Sequence, residues 1–83
     1  MKYDENKVDE TVLALLYLTM FKDKTGQRAW KGQDWEVMDR LHKKGYISDP
    51  KSKAKSVIMT EDGARRAKKL FQKNFAMNAG NGA

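Results

Sequence analysis

The sequence contains no cysteine, one proline (Pro50) and one histidine (His42). Without cysteine there can be no disulfide and no cysteine-ligated zinc or iron–sulfur centre. His42 has no second ligand candidate at metal-binding spacing, so it is expected to be a packed or half-exposed side chain, with no metal or cofactor. Long apolar runs are missing too. Val12 to Phe21 is too short and wrongly flanked to span a bilayer or act as a secretory signal, and Met1-Lys2-Tyr3-Asp4-Glu5 is charged, so the expectation is a cytoplasmic protein with no membrane contact. There is no paired nucleophile and base, no glycine loop that would cradle a phosphate, and no carboxylate pair in an apolar setting. Gly26, Gly32, Gly45 and Gly63 each have a local turn or cap explanation. The protein is therefore not expected to be an enzyme, and no catalytic residue or small-molecule substrate is predicted.

What is present is a short, basic chain. Its 83 residues predict one domain around one core, burying about 60% of the unfolded surface. A core of that size contributes about 3–5 kcal/mol of net stability, so self-association is the remaining candidate for support. The net charge of +6 is unevenly spread. Residues 1–40 carry seven Lys/Arg against eight Asp/Glu, a net of −1, whereas residues 41–83 carry ten against three, a net of +7. An anionic partner is therefore to be sought on the second half.

Helix-forming residues from Val8 to Phe21 predict a first helix, with Asn6 as N-cap and Asp9 as an acid in its first turn. Val8, Val12, Leu15 and Leu16 form one stripe, but Leu13, Leu18, Met20 and Phe21 make the helix apolar nearly all round. That pattern predicts a homodimer through this helix, with Val12, Leu13, Leu16 and Met20 in the interface. Lys22 to Lys31 is polar and reads as a loop, with Trp30 packing back on the domain. A second helix is predicted from an Asp34 N-cap to Gly45 at the C′ position. Trp35, Met38, Leu41 and His42 would lie on one side. Glu36 and Asp39 would pair with Arg40 and Lys43 on the other. Tyr46-Ile47-Ser48 and Ser56-Val57-Ile58-Met59 have strand composition and predict a hairpin with a basic tip. Thr60 then caps a third helix, with Ala64, Ala67, Leu70, Phe71 and Phe75 on one arc and Arg65, Arg66, Lys68, Lys69 and Lys73 on the other. A domain over 1–75 and a disordered tail over 76–83 are expected.

The run Leu41-His42-Lys43-Lys44-Gly45-Tyr46-Ile47, a basic turn, and Ile58-Met59-Thr60-Glu61-Asp62-Gly63 resembles winged helix-turn-helix domains over roughly Asp34 to Phe75. More narrowly, Tyr3-Asp4-Glu5, the block from Val8 to Leu18, Arg28-Ala29-Trp30-Lys31-Gly32, Asp34-Trp35, Met38-Asp39-Arg40-Leu41-His42 and Ile47-Ser48-Asp49-Pro50 resemble a family of small bacterial proteins known only as a domain of unknown function. The resemblance implies a mostly helical α+β, winged-helix-like single domain in the order helix 1, helix 2, two-stranded β wing, helix 3. It brings no activity. The usual middle helix of the winged-helix pattern is missing, or reduced to a turn around Arg28 to Lys31.

Two functional readings follow. In the first, Lys51, Lys53 and Lys55 alternate along an extended wing and touch successive phosphates of double-stranded DNA, with Arg65, Arg66 and Lys69 extending the surface. Lysines at these places also serve solubility and discourage edge pairing. Asp34, Glu36 and Asp39 occupy the end of helix 2 that would meet base edges, so the contacts expected are to backbone, with weak sequence preference. In the second reading the protein is an interaction module that uses Trp35 and the mixed-charge face of helix 2, without DNA. Trp30 and Trp35 suit base stacking or an interface anchor, and equally the cover of a small core.

Overall fold

In the computed structural model, which describes residues 1–77, α1 (Glu5–Leu18) is followed by the hairpin β1 (Phe21–Asp23) and β2 (Gly26–Trp30). Next come α2 (Trp35–Lys43), β3 (Ser56–Ile58) and α3 (Glu61–Phe75). The strands form one antiparallel sheet in the order β1-β2-β3. The protein is thus a single α+β domain, about half helical, with a winged-helix-like arrangement. Within the expected tail, Ala76 and Met77 follow α3 without regular structure, and 78–83 lie outside the described residues.

Helix ends follow the capping chemistry. Asp34 accepts a hydrogen bond from the Val37 N–H, and Thr60 accepts one from Gly63, at the predicted starts of α2 and α3. At the end of α2, Gly45 has φ +84°, with Gly45 N–H bonded to the His42 carbonyl and Tyr46 N–H to that of Leu41. This is a complete Schellman cap, and its two carbonyls need the left-handed turn that glycine adopts without strain. For α1 the expected Asn6 cap is corrected: Asp4 caps, accepting from the Lys7 N–H, and the helix starts earlier. It also stops earlier, at Leu18, so Met20 and Phe21 are not helical.

The expected loop over Lys22–Lys31 is instead β1 and β2. Phe21 pairs with Arg28, Lys22 with Gln27 and Asp23 with Gly26. The turn is closed by the Asp23 carboxylate, which accepts from the Thr25 N–H at 2.8 Å and the Thr25 hydroxyl at 2.6 Å. Where the usual middle helix was expected to be missing or reduced to a turn around Arg28 to Lys31, the chain runs as β2, which ends at Trp30. The wing is also simpler than expected. Residues 46–48 form no strand; they meet β3 and its end through an Ile47–Met59 bridge, the Ser48 N–H to the Ile58 carbonyl, and the Ile58 N–H to Ser48 Oγ. The other edge of β3 pairs with β2.

The core contains Leu13 and Leu16 of α1, Ala29 of β2, Val37, Met38 and Leu41 of α2, Ile47, Val57 and Met59, and Ala67 of α3. Here α1 is central, packing on α2, α3 and β2 together. That cover accounts for most of its all-round apolarity within one copy of the chain. The stripe is also rotated from the expected one: Asp9, Leu13, Ala14 and Leu16 are buried, while Leu15 is exposed.

Candidate nucleic-acid interface

The basic loop between Ile47 and β3 is built from turns and bends. Asp49 starts it by accepting the Lys51 N–H at 2.9 Å. Pro50 is buried beneath it. Lys31, just after β2, pins it from the side. Its Nζ donates to the carbonyls of Pro50, at 2.7 Å, and Ser52, and its N–H donates to the Lys55 carbonyl at 3.2 Å. Lys51, Lys53 and Lys55 are all exposed, and among the described residues none has an ion-pair partner. They do not alternate along an extended wing as expected, because a chain of bends does not send every second side chain to one side.

The cations of α3 are exposed, but not all are free. Arg65 pairs with Asp62 on its own helix. Arg66 approaches Glu10 of α1 at 3.8 Å and lies 5.6 Å from the centre of the Tyr46 ring. Lys69 lines a shallow recess of about 180 Å³ with Tyr46, Asp62, Arg65 and Arg66. Among the described residues, no hydrogen bond or ion pair joins this group to the loop lysines.

The residues expected in a dimer interface are placed differently. Leu13 and Leu16 are each 1% exposed and belong to the core, so they present no surface to a second copy. Val12 and Met20 are half-buried against that core. The apolar residues that α1 does expose are Leu15 and Leu18. Trp35 is 54% exposed at the start of α2, whereas Met38 and Leu41 are buried. Trp30, expected to pack back on the domain, is also 54% exposed, and its ring lies 4.9 Å from that of Phe21.

A buried ion cluster was not anticipated from the sequence. Asp9 is 1% exposed, and Arg40 grips it from α2. Arg40 Nε donates to both carboxylate oxygens at 3.0 and 2.9 Å, and Nη2 donates to Oδ1 at 2.7 Å. Lys44 Nζ donates to Oδ2 at 2.9 Å and to Asn6 Oδ1 at 3.3 Å. Burial pushes the Asp9 carboxyl up, but the hydrogen bonds and charges of Arg40 and Lys44 outweigh it and hold it below the usual range. The same hydrogen bond holds the Arg40 guanidinium above its ordinary value. Arg40 therefore faces α1, and the expected Glu36–Arg40 pair is replaced, whereas Asp39–Lys43 forms at 3.1 Å. The legible signal was an acid at the head of an i, i+4, i+7 series with Leu13 and Leu16, where an apolar residue is normal.

Beside Asp9 opens a cavity of about 480 Å³, bordered by Glu10, Lys44, Tyr46 and Arg66. Its charges pair with one another, and among the described residues no buried side-chain polar atom lacks a partner. The cluster thus serves to lock α1 to α2. His42 is half-buried, and no group of metal-ligating residues forms among the described residues. No helix among them is long and apolar enough to cross a membrane.

No solved structure matches the chain. It is similar to the uncharacterized protein y4hR of Sinorhizobium fredii (strain NBRC 101917 / NGR234), with 48% identity over 75 residues that cover 90% of this chain and 97% of that protein. Residues 4–77, which span every helix and strand described above, match the family described as domain of unknown function DUF6429, and the chain belongs to that bacterial family.

Proposed function

We propose that the protein binds nucleic acid, double-stranded DNA included, through phosphate contacts of the loop lysines Lys51, Lys53 and Lys55. The observation that carries the reading is three exposed lysines within five residues, on a loop held in place by Lys31. Lys69 and the other exposed lysines of α3 add to the positive field, while Arg65 and Arg66 are partly committed to Asp62, Glu10 and Tyr46. The acidic start of α2 at Asp34 and Glu36 disfavours base reading there, so binding has weak sequence preference. The protein acts by binding and not by catalysis, in the cytoplasm. A second copy, if recruited, meets Leu15 and Leu18 of α1, and a solution mass that stays monomeric at high concentration argues against it.

The test is titration of mixed-sequence duplex DNA at low and near-physiological salt, with a Lys51/Lys53/Lys55→Ala variant alongside. If each lysine neutralises one phosphate, the log–log salt slope is about −3 for the wild type and falls towards zero in the variant. Absence of binding at low salt, or a variant that binds as well as the wild type, refutes the reading. In that event the exposed Trp35 favours the second reading, a protein-interaction module, and Trp35→Ala becomes the variant to examine.

A further inference from the structure

Directly paired residues in a sheet point to the same face, and successive residues alternate. In β2, Ala29 points inward and is fully buried beside Val57, its partner on β3. Arg28 and Trp30 therefore point outward, together with Phe21 across from Arg28, Ile58 on its other side, and Ser56 across from Trp30. Arg28 lies along this face. Its Nε donates to Ser56 Oγ at 2.7 Å, Nη2 to the Ser56 carbonyl at 3.0 Å, and Nη1 to Thr25 Oγ1 at 2.9 Å. Asp23, the acid of this face, is occupied at the far turn by Thr25, and Arg28 approaches it at 3.8 Å.

What remains open is an aromatic surface, with Trp30 half-exposed against Phe21 on the diagonal of the hairpin. The same end of the sheet carries the basic loop. Lys31 and Lys55 extend the β2–β3 ladder one residue beyond the Trp30–Ser56 pair, through the Lys31 N–H to Lys55 carbonyl bond. One strand end thus presents a flat ring and, one residue further, the loop that carries Lys51, Lys53 and Lys55.

We infer that this outer face is a stacking platform for unpaired bases: Trp30, backed by Phe21, takes a base on its ring while the loop lysines take the flanking phosphates, so that single-stranded nucleic acid is the preferred polymer. The inference rests on the nucleic-acid reading above and specifies its substrate class. In a duplex both faces of each base are covered by neighbours, so a ring on a flat sheet gains nothing from it. A single strand offers a free π-face on every nucleotide, and stacking on an aromatic ring tolerates any sequence. The positive charge at the rim and the ring beside it match an anionic backbone with exposed bases.

The experiment uses the full chain in a Trp35→Phe background, which leaves Trp30 as the sole tryptophan. An oligothymidylate of about a dozen nucleotides and a mixed-sequence duplex are titrated at low and near-physiological salt, with Trp30 fluorescence and polymer anisotropy as readouts. We expect quenching of Trp30 by the single strand, tighter binding of the single strand than of the duplex, and a loss of roughly ten- to a hundredfold in single-strand affinity in Trp30→Ala. Trp30→Phe, which keeps a ring, retains most of the affinity, and its circular dichroism guards against misfolding. Equal affinity for both polymers with unchanged Trp30 fluorescence overturns the stacking inference. If the triple lysine variant still loses binding in that case, the phosphate reading survives alone. No binding of either polymer at low salt overturns both.

Discussion

Gly63 stands in the first turn of α3, where the general rule favours alanine by about 1 kcal/mol because glycine loses more backbone freedom in a helix. The structure reverses that expectation. A Cβ at Gly63 would lie 1.9 Å from the Tyr46 carbonyl oxygen and 2.7 and 2.8 Å from its carbonyl carbon and Cα. These are backbone atoms that cannot rotate aside, so the start of α3 would have to retreat by about 1.5 Å to restore ordinary contact. Such a shift strains the Thr60 N–H to Tyr46 carbonyl bond, 3.1 Å, and the Thr60 hydroxyl to Gly45 carbonyl bond, 2.7 Å. Overpacking costs about 1–3 kcal/mol and each weakened hydrogen bond about 1 kcal/mol, so after the helix-propensity gain Gly63→Ala should lose about 2–4 kcal/mol. For a domain this small that lowers Tm by roughly 10 °C or more, read by thermal and urea unfolding followed by circular dichroism. Gly32→Ala is the control. Open space surrounds that position and its φ is not positive, so the change should stay within about 0.5 kcal/mol. A Gly63→Ala protein as stable as the wild type, or more stable, would refute the close-approach argument.

The buried carboxylate gives a second test: Asp9→Asn removes the charge that Arg40 and Lys44 face, and should cost about 2–3 kcal/mol in urea unfolding, moderated by the access both cations have to water. Its pH dependence has a defined sign. Because the folded carboxyl is held below the ordinary value of 3.8, its stabilisation is present above that value and is lost as pH falls through the lower folded one. Acid unfolding of Asp9→Asn should therefore lack that contribution, and a parallel loss in wild type and variant would contradict it. Leu13→Ala, at a core position 1% exposed, should cost about 2–5 kcal/mol independently of protein concentration. A concentration-dependent loss measured by equilibrium unfolding would return Leu13 to a dimer interface.

Elements with chemical punctuation were legible. Asp34 and Gly45 bracket α2, and Thr60 opens α3, because an N-cap acceptor and a left-handed C′ residue are needs of the helix ends themselves. The hairpin was not legible. Its turn residues Lys24 and Thr25 lack the usual Asn-Gly signal, and the closure comes from the Asp23 carboxylate, whose pull from Thr25 also lowers its pKa. Nor do Phe21, Arg28 and Trp30 read as a buried face: they share the outer side of the sheet, where Trp30 is exposed and Phe21 and Arg28 are half-buried. In α1 the error was one of rotation. The sequence places Asp9 in the acidic first turn and Val8, Val12, Leu15 and Leu16 on one stripe, whereas the folded helix buries Asp9, Leu13, Ala14 and Leu16. The charge of Asp9 is compensated by residues 31 and 35 positions away, a distance that no local pattern can carry.

For the candidate interface, the lysines were legible and their presentation was not. That presentation follows from how the loop ends are tied. The Thr60 N–H meets the Tyr46 carbonyl, the Thr60 hydroxyl meets the Gly45 carbonyl, Ile47 bridges Met59, and Ser48 is bonded to Ile58. Residues 49–55 are thus an excursion from a closed base, and the cost of bringing the ends together is borne by the fold and not by a ligand. Lys51, Lys53 and Lys55 contribute none of these ties through their side chains. Their replacement by alanine should therefore leave unfolding unchanged within about 0.5 kcal/mol, so that any binding lost by the triple variant is a loss of charge at the surface and not of the structure beneath it.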